Sequence, residues 1–153
     1  MNVEQVNALL ESIVNVIKTM TFLEPVAGEP QVKTDGNIHG DVAGIISLTG
    51  SVAGLLVVSF TEECILKIVS NRLAEEMASI NDDVRDAVGE ITNMISGDTR
   101  KRLQKEGLTI TAAIPKVVSG KDHVINHTLR HLSIMIPFYT ENGPFDVYLC
   151  LNH

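Results

Sequence analysis

No stretch of this chain comes near the roughly 18 consecutive apolar residues that mark a membrane-spanning helix, so a transmembrane helix is excluded. Basic residues are scarce: Lys and Arg number 12 against 19 Asp and Glu, for a net charge of −7. A nucleic-acid binder must neutralise phosphates with a basic face. The longest cationic cluster here is Arg100-Lys101-Arg102, so nucleic acid is not an expected partner, and an anionic membrane surface is disfavoured on the same ground. The opening residues include Asn2, Glu4 and Gln5 and lack the cationic start and apolar stretch of a secretory signal, which predicts a cytoplasmic protein. There are two cysteines, Cys64 and Cys150, far apart and in apolar surroundings; they read as reduced, buried thiols. No CxxC, GxGxxG, Walker loop or HExxH occurs.

What is present is an ordinary globular composition, 44% hydrophobic and 20% charged over 153 residues, which predicts one folded domain spanning 1–153. Val3, Val6, Leu10, Ile13, Ile17 and Met20 recur at steps of three and four, the apolar stripe of an amphipathic helix with Asn2 as N-cap. That helix must end before Glu24-Pro25, because the residue preceding proline resists the helical region. Residues 25–37, rich in Pro, Gly and polar side chains, leave room for at most one edge strand at Gln31–Lys33. Val42–Leu48 and Val52–Phe60, joined at Thr49-Gly50-Ser51, read as a hairpin. Its second strand is apolar on both faces and so should lie covered in the middle of a sheet. Thr61 with Glu62-Glu63 opens a helix to about Glu76, and Asn81-Asp82-Asp83 a longer one to about Glu106, closed by Gly107. Strands are expected at Leu108–Ile114, Val124–Thr128, Leu132–Tyr139 and Phe145–Leu151, the last two alternating cleanly about a turn at Glu141-Asn142-Gly143-Pro144. The expected fold is α+β: an antiparallel sheet with long helices packed against it, in the order helix, strands, two helices, strands.

The helix from 81 to 106 carries the informative pattern. Val84, Val88, Ile91 and Ile95 form its core-facing stripe. Asp86, Glu90, Asn93 and Gly97 follow the same spacing two residues out of phase, about 200° away on the outward face. Gly89 and Ser96 are placed beside this polar stripe, and Met94 next to it. Glycine inside a helix costs about 1 kcal/mol relative to alanine, so Gly89 and Gly97 either relieve crowding against a neighbouring helix or mark where a second molecule must approach the backbone closely; two of them flanking Glu90 and Asn93 on the exposed side favour the second reading. An asparagine amide neither accepts nor releases a proton at neutral pH, but it can orient a water. An exposed glutamate can pair with a cation. Neither is an activated nucleophile. Such a pair suits a reaction whose electrophile and metal come with a partner, such as hydrolysis of a phosphoryl group held by another protein, where catalysis is mostly positioning and electrostatics.

The run Asp86-Ala87-Val88-Gly89-Glu90-Ile91-Thr92-Asn93-Met94-Ile95-Ser96-Gly97 resembles the Asp/Ser-xxx-Glu-xx-Asn-xxx-Gly signature of the CheC/CheX/FliY chemotaxis phosphatases. Val6-Asn7-Ala8-Leu9, Ile46-Ser47-Leu48-Thr49-Gly50 and Pro115-Lys116-Val117-Val118-Ser119-Gly120 resemble its CheX branch, so the likeness covers almost the whole chain. The resemblance implies a CheC-like fold and a phosphorylated CheY-like response regulator as substrate. It implies that Glu90 pairs with a lysine of the regulator's active site and that Asn93 places the attacking water in line with the aspartyl-phosphate. Asp86, Gly89, Met94 and Gly97 would contact the partner. The protein would hold no cofactor of its own, Mg2+ belonging to the regulator. CheC-type members carry two such motifs and CheX-type members one, with a homodimer. The Glu4-Gln5-Val6-Asn7 spacing in the first helix has Glu11 where the trailing glycine should stand and is read as a chance match.

His123, His127 and His131 are spaced four apart, but in a segment that reads as extended, where four residues span about 13 Å, too far to share an ion; no metal site is assigned. A homodimer is also expected from the sheet, on the premise that Leu132–Tyr139 or Phe145–Leu151 presents an apolar edge. The competing reading is a non-catalytic response-regulator-binding adaptor or flagellar switch component. It would have no use for the water-orienting amide of Asn93.

Overall fold

The structure, a computed structural model, describes residues 3–33, 37–51, 53–121, 124–128 and 133–152. The chain runs α1 (Val3–Thr21), three short strands β1 (Val26–Ala27), β2 (Gln31–Lys33) and β3 (Asn37–His39), the hairpin β4 (Val42–Gly50) and β5 (Ala53–Phe60), helices α2 (Glu62–Leu73) and α3 (Asp82–Lys105), and then β6 (Ile110–Ala112), β7 (Lys116–Lys121), β8 (Val124–Thr128), β9 (Ser133–Thr140) and β10 (Gly143–Asn152). The sheet follows the order β1-β9-β10-β5-β4-β7-β8-β3, with β2 also on β9 and β6 also on β4. The neighbours are antiparallel. β5 lies between β10 and β4, as a strand apolar on both faces requires.

The period of two divides the strand residues between two cores. Val42, Ile46 and Leu48 of β4, Leu56, Val58 and Phe60 of β5, and Phe145, Val147 and Leu149 of β10 face the helices. Against them pack Leu9, Ile13 and Ile17 of α1, Ile65 and Ile68 of α2, and Val84, Val88, Ile91 and Ile95 of α3. Each such aliphatic side chain stabilises the fold by about 1.5–3 kcal/mol when fully buried. Ala43, Ile45, Val57, Met135 and Tyr148 point the other way into a smaller cluster that Ile38 of β3 completes. β3 is tied to that cluster by the His39 N–H, which donates to Tyr148 Oη at 2.9 Å, and by Ser59 Oγ, which donates to the His39 carbonyl at 2.8 Å.

Helix ends follow their capping chemistry. Thr61 Oγ1 accepts from Cys64 N and Asn81 Oδ1 from Val84 N, so α2 and α3 start where the sequence predicts. α2 stops at Leu73 rather than near Glu76, because Ala74 takes the left-handed conformation (φ 52°) and its N–H turns back to the Ser70 carbonyl. Residues 25–37 hold more structure than one edge strand. β2 is there, but β1 lies before it, and β3 begins at Asn37. Leu108–Ile114 shortens to β6, and β7, unpredicted, pairs with β4 from Val42↔Ser119 to Ile45↔Lys116. The β9–β10 turn is tighter than expected. Gly143 already pairs with Thr140, and Pro144 belongs to β10. Asn2, Val52, His123, His131 and Leu132 lie outside the described residues.

One premise fails. β10 is interior, held by β5 and β9 on its two sides, and β9 is flanked on its outer side by β1 at Tyr139 and Phe138 and by β2 from Met135 to Ser133. Neither strand is the bare apolar edge from which a homodimer was argued.

Candidate functional site

α3 presents the expected face. Val84, Val88, Ile91 and Ile95 are buried, while Asp86, Glu90, Asn93 and Met94 are exposed and Gly97 is half-buried. Ser96 departs from expectation: it is 4% exposed and, with Thr92 and Thr99, faces inward. α3 is covered along a wide arc, with α1 on one flank and the sheet beneath, so the flank assigned to Ser96 is not open to a partner.

The seat of the helix is Gly44 on β4. A Cβ there would lie 2.7 Å from Thr92 Cβ and 2.9 Å from Thr92 Cγ2. No side chain fits, so α3 rests on the β4 backbone at Thr92, the residue next to Asn93. Thr92 Oγ1 donates to the Val88 carbonyl at 2.6 Å, which satisfies the buried hydroxyl within its own helix.

Gly89 and Gly97 differ from Gly44. A Cβ at Gly89 would make an ordinary 3.5 Å contact with Val117 Cγ2, and a Cβ at Gly97 would meet nothing within 4 Å among the described residues. Crowding within the chain therefore explains neither helical glycine. Gly97 and Met94 border a depression of about 400 Å3 between α3 and α1, whose far wall includes Asn15, Val16 and Thr19.

The Glu90 carboxylate is not free. Arg72, in the last turn of α2, donates from Nη2 to Glu90 Oε1 at 2.6 Å. Sequence reading missed Arg72, and no signal could have found it, since the pair joins two helices. The Asn93 side chain is exposed and makes no hydrogen bond among the described residues, which leaves both donor and acceptor of its amide available. Asp86 stands one turn before Glu90, exposed. The face thus combines a held carboxylate, an uncommitted amide and open backbone at Gly97. It can bind a cation, orient a water and admit a close-packed partner.

The Glu4–Asn7 spacing leads to a different environment. It borders a depression of about 340 Å3 shared with Glu11, Arg102 and Lys105. Arg102 pairs there with Glu11 at 3.0 Å and with Asp98 at 2.8 Å, so the position of the missing glycine carries an ion pair to α3. Cys64 and Cys150 are both buried thiols. Burial pushes the Cys64 thiol up to about 11, which leaves it protonated and unreactive. Among the described residues no three His, Cys, Asp or Glu side chains converge as a metal cage, and no helix is long and apolar enough to cross a membrane. β8 is extended, as the His127 segment was expected to be.

Residues 42–139 match the family model described as chemotaxis phosphatase CheX. The chain is 31% identical over 150 residues to the CheY-P phosphatase CheX of Thermotoga maritima, covering 97% of this chain and 96% of that protein. It superposes on the crystal structure of a CheC-like superfamily protein from Shewanella sp. PV-4 with a TM-score of 0.90, at 38% identity and complete coverage of both chains. It also matches a chain of the CheX–CheY–BeF3–Mg2+ complex from Borrelia burgdorferi, with a TM-score of 0.81 at 22% identity, over 99% of this chain and 100% of that one. The fold is the CheC-like fold.

Proposed function

The chain belongs to the CheX family of chemotaxis phosphatases, and from that premise we propose that the exposed face of α3 is where a phosphorylated CheY-like response regulator docks and loses its phosphoryl group. The activity is that of a CheY-P phosphatase, a hydrolase, as in the Thermotoga relative. The observation that carries the assignment to α3 is the pairing of Glu90 with Asn93 on one exposed face, with the Asn93 amide uncommitted.

In this mechanism the regulator brings both the aspartyl-phosphate and Mg2+; the Borrelia complex contains CheY, beryllium trifluoride and Mg2+ together. Glu90 pairs with a lysine of the regulator and fixes the register of docking. Asn93 then holds one water with its amide, in line with the bond to be broken. The water oxygen forms the new bond to phosphorus as the acyl-phosphate P–O bond breaks. The products are the regulator's aspartate carboxylate and inorganic phosphate. No covalent chemistry is asked of this chain, only positioning. Gly97 leaves the backbone accessible beside the reacting group, and Met94, Gly89 and Asp86 contact the regulator around it.

The test separates the two residues. Asn93→Ala should bind regulator charged with beryllium trifluoride almost as wild type, while single-turnover phosphate release falls by about two to three decades. Glu90→Gln should weaken binding as well as turnover, because it removes one partner of an interfacial charge pair. Phosphate release by Asn93→Ala at the wild-type rate would refute the mechanism. Binding of the charged regulator by the wild type without any catalysed release would favour the adaptor reading.

A further inference from the structure

We propose that Arg72 is a positioning residue for the phosphatase reaction, holding the Glu90 carboxylate ready for the regulator's cation; the inference rests on the docking role of Glu90 given above. Among the described residues Arg72 gives its side-chain hydrogen bond to Glu90 alone, and Glu90 receives none from any other side chain. Three of the other ion pairs, Lys67–Glu63, Arg85–Asp82 and Arg102–Asp98, join neighbours on one helix. The Arg72–Glu90 pair instead crosses from α2 to α3 and ends on the carboxylate that the site requires.

The corner that presents Arg72 is pinned. Ala74 closes α2 through its N–H to the Ser70 carbonyl. The Met77 N–H donates to Ser70 Oγ at 2.9 Å, and Met77 is buried. Asn81, the N-cap of α3, donates from Nδ2 to Met77 Sδ at 3.8 Å. Arg72 therefore stands on a stem locked to the start of the helix that bears Glu90. Its guanidinium engages Oε1 at 2.6 Å, and a carboxylate has lone pairs to spare for a second cation at Oε2.

Two effects compete. Holding Glu90 removes rotamers that docking would otherwise have to freeze, which is worth about two- to tenfold in affinity for a flexible side chain. The guanidinium also repels an incoming ammonium. Both groups of the pair reach solvent, 32% for Arg72 and 52% for Glu90, so the high dielectric of water weakens that repulsion, and we take the ordering effect as the larger.

The experiment uses the full chain, regulator charged with beryllium trifluoride for binding, and acetyl-phosphate-charged regulator for turnover. Arg72→Gln should raise the regulator Kd and KM by about two- to tenfold and leave kcat and the thermal midpoint at the wild-type values. Arg72→Lys should restore part of the affinity. In a Glu90→Gln background, Arg72→Gln should add nothing, a coupling that a merely structural role would not produce. Tighter binding by Arg72→Gln would overturn the proposal and make Arg72 a competitor of the lysine. The same loss in both backgrounds would overturn it too, since Arg72 would then act other than through Glu90. If Glu90→Gln weakens binding while Arg72→Gln does not, the positioning role fails and the docking role stands. If Glu90→Gln leaves affinity unchanged, both fail.

Discussion

Replacing Gly44 by alanine is expected to displace the helix that carries Glu90 and Asn93. The need at this position is for space alone, since no positive φ is involved. The added Cβ would come within 2.7 Å of Thr92 Cβ. Carbon atoms rest comfortably at about 3.5 Å and beyond, so β4 and α3 must part by at least about 0.8 Å, and Thr92 Oγ1, which lies nearer to the added Cβ than either Thr92 carbon, demands more. Neither side yields readily. Thr92 is fully buried and its hydroxyl is committed to the Val88 carbonyl. β4 is held by β5 on one side and β7 on the other. Overpacking of this kind costs about 1–3 kcal/mol, and in a chain of this length each kcal/mol moves the midpoint by about 2–4 °C. A fall in Tm of roughly 2–12 °C follows. The loss of activity should exceed the loss of stability, because a displacement near 1 Å at a positioning site can cost on the order of a hundredfold in rate. Thermal unfolding and single-turnover phosphate release on the same preparation measure the two effects. The double variant Gly44→Ala with Thr92→Ala removes the Thr92 hydroxyl and methyl but keeps its Cβ, so it should recover part of both losses. A Gly44→Ala protein with the wild-type Tm and rate would show that this contact does not seat the helix.

Three further outcomes are expected. Ala74→Gly should raise Tm by a few degrees, since alanine in the left-handed conformation costs about 1–2 kcal/mol, part of which glycine gives back through its looser unfolded chain; an unchanged or lower Tm contradicts the cap as the end of α2. Burial raises the Asp146 carboxyl above the ordinary carboxylate range, opposed by His39 and Lys33. The folded protein thus holds that proton more tightly than the unfolded chain does, and stability from this group is present at acid pH and lost as pH rises through the folded value. Asp146→Asn should therefore stabilise near neutral pH and lose its advantage on acidification; an equal gain at both ends contradicts the shift. The homodimer is expected on a different footing from a bare edge. Val32 and Ile134 are cross-strand partners on β2 and β9, 67% and 38% exposed, and a second copy would cover them. Light scattering at micromolar concentration that gives the single-chain mass of 16.6 kDa would refute it.

Local patterns were legible along the chain. Asn81 ahead of Asp82-Asp83 announced α3, and the steps of three and four from Val84 to Ile95 fixed which side of it is buried. From that alone Glu90, Asn93 and Gly97 fall on the open side, because a helix turns by a constant angle per residue. The alternation in 132–139 and 145–151 likewise announced β9 and β10, since successive strand residues point to opposite faces. β1, β3 and β7 were not legible, because strands of two, three and six residues with mixed polarity are stabilised by their neighbours rather than by their own pattern.

What only the tertiary structure decided is which elements meet. Arg72 and Glu90 stand 18 residues apart in different helices, and no periodicity relates them. Gly44 reads in sequence as a small residue within a strand; only the crossing of α3 over β4 turns it into the seat of Thr92. Ser96 lies between the two stripes of its helix, and the packing of α1 alongside decided that it faces inward. The strand order that places β10 inside the sheet and β1 and β2 outside β9 is likewise a matter of pairing across long stretches of chain. Periodicity is set by the geometry of one element and so can be read from its own residues. Pairing is set by the free energy of bringing distant surfaces together, to which residues far apart in sequence contribute jointly.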